Sequence, residues 1–465
     1  MRGMSALWTS DAIAAATGGT TQGSFDCNGV AFDSREIGPG DLFFAMTGEQ
    51  ADGHDFVERA FASGAAGAVV NRAVDGPHIL VPDTLKALED LGKASRARVD
   101  AKIIGVTGSA GKTGTKEALF AALDRFAQGK AHRSVKSYNN HVGVPLSLSR
   151  MPADTRFGVF EMGMNHEGEL AALTRFVRPH VAIVTTIAPA HIAYFRDEAA
   201  IADAKGEIFE VLEPGGTAIL PFDNGQYARL RAKAEKHAAH IVSFGFGEGA
   251  DVRCIDHVTS ADGGTLVTAK LPHGLLCYAL SQPGAHWVAN SLAVLAAVEA
   301  VGGDLAQAGL ALAEMEGLKG RGERTTIQVA GGTALLIDES YNANPASMTA
   351  TIGQLGKTPA TRRVVVLGAM RELGARSDEY HADLLQPLNE AGVSYALLVG
   401  EEMAPLVEAM KRDVAWAGKF DHCANGKEAA DRLPSRLCAD DAVLVKGSNS
   451  VGLSKLVEAL IHGGS

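Results

Sequence analysis

The sequence predicts an α/β protein of three domains: a small N-terminal α/β unit, a central doubly wound unit with an antiparallel extension, and a C-terminal Rossmann-like unit. Three observations predict it. From residue 103 onward, apolar runs of strand type alternate with helical patterns, as expected for a parallel sheet covered by helices on both faces. The 465-residue chain is too long for a single core. Glycine and charge concentrate without periodicity in EGLKGRGERT, residues 316–325, and a fresh series of strands begins behind it. The boundaries expected are 1–99, 100–322 and 323–465.

Taken in order, SALWTSDAIAAA reads as a first helix with Ser10 or Thr9 as its N-cap. The runs GVAFD, DLFFAM, GAAGAVV and HILVP then read as strands broken by glycine-rich turns, with a helix at HDFVERAFASG. LKALEDLGKASRARVDA is a connecting helix, because its apolar residues recur at three- and four-residue spacing. The central series runs KIIGVTG, a helix from Lys112, FGVFEMG, a helix near 167–176, HVAIVTTIA, a helix near 197–212, and TAIL. Residues 250–283 break this rhythm with short strand-like runs, read as an antiparallel extension, and the helical HWVANSLAVLAAVEAVG follows. TTIQV, ALLID, RVVVLGAM, YALLVG and DAVLVKG supply the strands of the third unit.

Composition narrows the function classes. Lys+Arg 43 against Asp+Glu 54 gives a net charge of −11, so no global attraction draws nucleic acid or an anionic membrane. A bound phosphate must therefore be held by a local site. Cys27, Cys254, Cys277, Cys423 and Cys438 are scattered without a CxxC pair, which points to neither a disulfide framework nor a zinc site. The N-terminus lacks the apolar core of a signal peptide, and no apolar run is long enough to cross a bilayer. The expectation is a soluble cytoplasmic protein.

The most informative stretch is IIGVTGSAGKTGTKEAL, residues 103–119. A strand runs into Gly108, Ser109, Ala110, Gly111, Lys112, Thr113 and Gly114, and a helix leaves from there. Glycines let the backbone approach a ligand, the helix N-terminus presents free N–H groups, and Lys112 adds a point charge, so polyphosphate is the natural guest. Thr113 stands where a hydroxyl usually reaches Mg²⁺. The loop departs from the common phosphate-loop pattern in carrying Val106 where that pattern has glycine.

Other candidates lie at strand ends, where parallel sheets gather ligands. Glu161 ends FGVFE and suits a metal or a satisfied polar contact; His166 follows in the next loop. His191 follows the strand of VTTIAPAHI, and Lys205 sits on the next helix. Asn139 and Asn140 lie in a loop flanked by glycine and proline, where turn-forming asparagine serves equally well. In LIDESYNANPASM the polar cluster from Asp338 to Asn344 fits a ligand-facing loop, a helix N-cap at Asn344, or both.

TGSAGKT, NN before GVPL, FEMG, the histidine of AHI, AKGEIF, GAHxxxN, GR and SYNANP together resemble the Mur ligase family, ATP-dependent amide-forming enzymes of peptidoglycan synthesis. Their phosphate loop is the shorter TGxxGKT form, which accounts for Val106. The N-terminal DSREIGPGDLFFAMTGEQADGHDFVERAFASGA is similar to the family's UDP-binding domain, so the likeness covers nearly the whole chain.

The resemblance implies ATP and Mg²⁺, with two ions, as cofactors, and UDP-N-acetylmuramoyl-tripeptide and D-Ala-D-Ala as the substrate pair. It further implies that Lys112 and the loop N–H groups cradle the β and γ phosphates, that Thr113 and Glu161 hold one Mg²⁺, and that His191 helps to hold the second. Lys205 matches a lysine that the family carbamylates, which would make it a metal ligand. Asn290 corresponds to an adenine-side contact, Arg321 to a γ-phosphate contact at the domain junction and Glu339 to a ribose contact, with Asn342 beside it. Asn139 and Asn140 would face the peptide, and Ser34, Arg35, Thr47 and Gly48 the uridine end.

Two departures are visible. Trp287 replaces the first asparagine of the HNxxN pattern, offering adenine a ring to stack on, and Glu339 stands where aspartate is common. The competing readings are a sister ligase adding the third peptide residue, a folylpolyglutamate synthase, disfavoured by the uridine-binding segment, and a phosphate-loop kinase or regulatory NTPase.

Overall fold

The computed structural model describes residues 6–48, 51–260 and 264–463. Three large sheets follow one another along the chain. The first has five strands in the order Thr20–Gln22, His78–Leu80, Gly67–Val70, Asp41–Phe44 and Gly29–Ala31, parallel except at the first pair. Leu42, Phe43 and Phe44 are fully buried, as an unbroken apolar run in a parallel sheet requires.

The first helix starts at its expected cap, Thr9, but the residues ahead of it in the stretch read as helical are extended. Trp8 and Thr9 pair antiparallel with Cys27 and Asp26, and the helix covers only Ser10–Thr17, with the Thr9 hydroxyl accepting from the Ala12 N–H. Extended backbone lets Trp8 reach inward, where its indole N–H donates to the Ser149 carbonyl at 2.8 Å and the Arg98 guanidinium lies 3.6 Å over its ring. Ser5, which the expected helix included, lies outside the described residues.

The central sheet has nine strands in the order Gly274–Leu280, Thr265–Leu271, Val252–Thr259, His240–Gly245, Thr217–Pro221, Val181–Val184, Lys102–Thr107, Phe157–Glu161 and Ala131–Arg133. The three strands between 252 and 280 pair antiparallel, as read from the sequence, and the remaining pairs are parallel. After Lys102–Thr107 the chain builds outward first on one side and then on the other. That strand is thus a topological switch point, where its carboxyl end opens a crevice. The helix Ala285–Ala300 is buried around most of its circumference, because its apolar residues form no single stripe but fill the core between sheet and helix.

The third sheet runs Glu323–Val329, Gly332–Glu339, Asp441–Lys446, Arg362–Gly368, Tyr395–Val399 and Phe420–Cys423, parallel except for the first pair. Phe420–Cys423 carries Asp421 and His422 at an edge and had no apolar run to announce it. Among the described residues, no helix is long and apolar enough to cross a membrane. All five cysteines are free thiols.

Candidate active site

The strand Lys102–Thr107 delivers the phosphate-type loop directly into the crevice. Gly108 has φ +150°, and a Cβ there would stand 1.9 Å from the Thr185 hydroxyl oxygen. Gly111 has φ +82°, and its Cβ would meet the Asn290 amide oxygen at 2.9 Å. Both positions therefore require glycine for conformation and for space. The loop is also fastened from outside. The Thr185 hydroxyl donates to the Thr107 carbonyl at 3.2 Å and to that of Ala110, and the Ser109 hydroxyl donates to the Ala188 carbonyl at 2.9 Å.

Helix Lys112–Ala127 begins at Gly111 with no side-chain cap. Its first N–H groups and its positive dipole end are thus directed at the loop, the arrangement that receives phosphate. Lys112 folds back so that its ammonium donates to the Gly108 carbonyl at 2.7 Å. Burial pushes its pKa down, against the pull of Glu161, and Arg321 adds repulsion. Such a buried cation is poised for an anion.

Glu161, only 1% exposed, ends its strand beside this loop. It accepts from the Thr113 hydroxyl at 2.9 Å and from the Asn139 amide at 2.7 Å. The Ser137 hydroxyl lies 3.4 Å from that of Thr113 and accepts from Arg321 at 3.3 Å. Asn140 plays a different part: exposed, it accepts from the N–H groups of Val142 and Gly143 at 3.2 and 2.9 Å, ordering the turn into helix Gly143–Ser149.

His191 adopts a left-handed backbone, φ 58°, and its Nδ1 pairs with the Glu372 carboxylate from the third unit. Burial and nearby Lys112 lower its pKa, against the opposing effect of Glu372. Lys205 is 1% exposed, and burial with Lys112 nearby holds it well below the ordinary lysine range. His166 is solvent-facing and pairs with Glu169 at 3.0 Å, away from the crevice.

The third unit closes the crevice from the other side. The Arg321 guanidinium lies 4.1 Å over the Tyr341 ring. Lys446, at a strand end, donates to the Asn342 carbonyl at 2.9 Å and to Glu339 at 3.4 Å. Asn344 satisfies both readings of its segment: it caps helix Pro345–Lys357 by accepting from the Ser347 N–H at 2.9 Å, and its amide reaches the Ser109 carbonyl at 3.4 Å. Trp287 and Asn290 stand three residues apart on one helix and meet Gly114 and Gly111, also three apart; a Cβ on Gly114 would be 2.8 Å from the Trp287 ring.

These groups line one cavity of about 660 Å³, within the range of small-molecule sites. Of the sequence candidates, Ser109, Ala110, Gly111, Lys112, Thr113, Gly114, Asn139, Glu161, His191, Asn290, Arg321, Glu339 and Asn342 come together there. Gly108 lies just behind the wall. Lys205, Asn140, Ser34, Arg35, Thr47 and Gly48 are not part of the lining. Arg35 is exposed and pairs with Asp33 at 2.6 Å, while Thr47, bridged to Asp52, and Gly48 are exposed. Sequence reasoning missed Ser137, Thr185 and Lys446; no local pattern marks them, because each becomes relevant only through a partner distant in the chain.

Among the described residues, no three His, Cys, Asp or Glu side chains gather as a self-sufficient metal cage. The oxygen donors present, Glu161 and Thr113 beside a phosphate cradle, suit Mg²⁺, which is held by one or two carboxylates together with substrate phosphates.

Three family descriptions match the chain: "Mur ligase family, catalytic domain" over residues 26–112, "Mur ligase middle domain" over 106–298 and "Mur ligase, glutamate ligase domain" over 320–449. A UDP-N-acetylmuramoyl-tripeptide–D-alanyl-D-alanine ligase of Escherichia coli is 35% identical over 440 residues, 94% of each chain. A MurF crystal structure from Acinetobacter baumannii superposes with a TM-score of 0.83 at 32% identity, covering 98% of both chains. A MurF ligase from Thermotoga maritima in complex with ADP superposes with a TM-score of 0.75 at 26% identity, over 93% of this chain and 97% of that one.

Proposed function

The chain belongs to the Mur ligase family, and from that premise we propose that it joins UDP-N-acetylmuramoyl-tripeptide to D-alanyl-D-alanine in peptidoglycan precursor synthesis, at the expense of ATP. The observation that carries this reading is the single cavity in which a phosphate cradle faces cationic and polar side chains of the third unit. A kinase-like loop alone would not need that facing wall. Full-length similarity to ligases of this specificity supports the substrate pair.

A carboxylate is a poor electrophile with a bad leaving group, so the reaction begins by activating it. The terminal carboxylate of the UDP-linked tripeptide attacks the γ-phosphorus of ATP, forming an acyl phosphate and releasing ADP. The dipeptide amine, having lost its ammonium proton, adds to the acyl carbon, and the tetrahedral intermediate expels phosphate as the amide forms. Positioning and charge neutralisation supply most of the acceleration.

In this reading Lys112 and the N–H groups of the loop from Gly108 to Gly114 hold the β and γ phosphates, with Arg321 reaching the γ-phosphate across the junction. Asn290 and Trp287 border the adenine, and Glu339 and Asn342 the ribose. Thr113 and Glu161 would hold one Mg²⁺, and His191 with a carbamylated Lys205 a second. Mg²⁺ neutralises phosphate charge when bound. The lowered pKa of Lys205 supports the modification, since a neutral amine is the form that adds CO₂. Asn139 bridges Glu161 and the peptide side. Ser34, Arg35, Thr47 and Gly48 would form the uridine end, outside the cavity and on the first sheet's unit.

Residues 1–99, 100–322 and 323–465 serve as acceptor-binding, ATP-binding and amine-side units. The activity belongs to the cytoplasm, where UDP-linked precursors and free thiols coexist, and would support cell-wall growth, shape and division. ADP release by the purified protein with ATP, Mg²⁺ and the UDP-tripeptide, with and without D-Ala-D-Ala, tests the assignment while mass spectrometry follows UDP-pentapeptide. Product and ADP formed together only with the dipeptide support it. Amide formation with another amino acid would move the chain to a sister ligase, and ADP release needing neither acceptor nor amine would sink the ligase reading.

A further inference from the structure

One fully buried lysine takes no part in the account above. Lys116 lies one helical turn beyond Lys112, and its side chain is 0% exposed. Its ammonium donates to the carbonyls of Ser134 at 3.1 Å and Lys136 at 2.6 Å, and the Glu117 carboxylate lies 2.9 Å away. Two carbonyls take two of its N–H donors, and Glu117, with Glu161 4.0 Å away, balances its charge, so the ammonium is committed to the protein rather than to phosphate. Even paired with Glu117 and near Glu161, a buried ammonium stabilises no more than an apolar side chain of like volume would. The arrangement makes sense if the position of that backbone matters.

The backbone in question is the segment 134–140. It starts on the central sheet, where the Ser134 N–H donates to the Val159 carbonyl at 3.0 Å and the Ser134 hydroxyl accepts from the Glu161 N–H at 3.1 Å. From there its side chains alternate. Ser137 and Asn139 face the cavity, at Thr113 with Arg321 and at Glu161 respectively. Lys136 and Tyr138 face the first unit, where both donate to one oxygen of Glu36, Tyr138 at 2.7 Å. The Tyr138 ring also lies 5.7 Å from that of Phe32. One short segment thus touches the nucleotide loop, the strand-end carboxylate and the N-terminal unit, and Lys116 fixes its height.

We propose that Lys116 is a positioning residue that holds segment 134–140 against the nucleotide loop and so couples acceptor seating in the N-terminal unit to phosphoryl transfer. Glu36, Lys136 and Tyr138 are the outer half of this coupling, and Ser137 and Asn139 the inner half. The geometry is independent of the ligase assignment; the reaction it serves rests on that reading.

The test compares the parent chain with Lys116→Met, Lys116→Arg and Glu36→Gln in turnover, thermal midpoint and calorimetric affinity for the UDP-tripeptide with and without ADP and Mg²⁺. In the parent, ADP should tighten UDP-tripeptide binding about fivefold or more. Lys116→Met should lower kcat about 100-fold, with a midpoint near that of the parent, and abolish the tightening. Lys116→Arg, which keeps the charge and donors, should recover part of both. Glu36→Gln, an isosteric change at a partly exposed position, should reduce the tightening even if Lys116→Met does not fold. No tightening in the parent, or tightening unchanged in Lys116→Met and in Glu36→Gln, would overturn the proposal. A parent that binds both ligands cooperatively but makes no product would overturn the ligase assignment alone.

Discussion

The nucleotide end and the acceptor end of this molecule are built differently. At the nucleotide end, the residues from Gly108 to Gly114 run from a loop into the first turn of helix Lys112–Ala127, and their shape is fixed by two positive-φ glycines, by Thr185 and by Ser109. At the proposed acceptor end, Ser34 and Arg35 lie in a turn of the first unit, Thr47 forms an isolated bridge with Asp52, and Arg35 contacts little beyond Asp33. The first region is held in shape by hydrogen bonds from the surrounding fold; in the second, Arg35, Thr47 and Gly48 are exposed. Rigid sites concentrate their energetic effect on the reaction, whereas loosely held ones contribute chiefly to affinity.

Substitutions can break or sharpen this contrast. The largest effect is expected for Lys112→Ala, which should lower kcat about 1,000-fold in the coupled ADP assay, as loss of a preorganised electrostatic group does. A variant retaining a tenth of parental turnover would mean that the loop N–H groups suffice. Next, Gly108→Ala must displace the Thr185 hydroxyl, 1.9 Å from the new Cβ, and accept an unfavourable φ. Urea unfolding should register a loss of about 3 kcal/mol, together with weak ADP binding. Unchanged stability would show that the loop yields more easily than its packing implies.

A pH experiment probes the same rigid region. Lys205 has a folded pKa well below the ordinary 10.5. Between that lowered value and 10.5 the unfolded chain holds a proton that the folded chain lacks, so stability rises with pH across this window. Lys205→Met should remove a slope of up to about 1.4 kcal/mol per pH unit, measured as urea midpoints in bicarbonate-free buffer. An identical slope in the variant would assign the rise to Lys112 or Lys446, which burial also lowers.

The smallest change is expected at the acceptor end. Arg35→Ala should raise KM for the UDP-tripeptide about tenfold while leaving kcat and stability near parental values, since an exposed ion pair contributes little to folding. A fall in kcat equal to that of Lys112→Ala would erase the distinction between the two ends.

Much of this was legible in the chain itself. Strand, turn glycine, lysine and helix stand next to each other in sequence, so the phosphate loop and its partners within a few residues could be read directly. The three series of strands were legible because parallel strands buried on both faces are apolar without interruption, and the same rule hid Phe420–Cys423, an edge strand with two polar residues. Trp8 was misread because its pairing with Cys27 is set by a partner 19 residues away rather than by local helix propensity.

By itself, then, the sequence determined the loop, the class of each unit and the chemistry of a phosphate-handling site, because these depend on backbone conformations and burial patterns that neighbouring residues impose. Only the tertiary structure decided that Glu161 receives Asn139 as well as Thr113, that His191 pairs with Glu372, that Asn344 reaches Ser109 and that Lys116 holds a segment touching the N-terminal unit. Those pairings join residues from 18 to 235 positions apart. A hydrogen bond or ion pair across such a distance is specified by how whole sheets and helices pack, and no local pattern carries it.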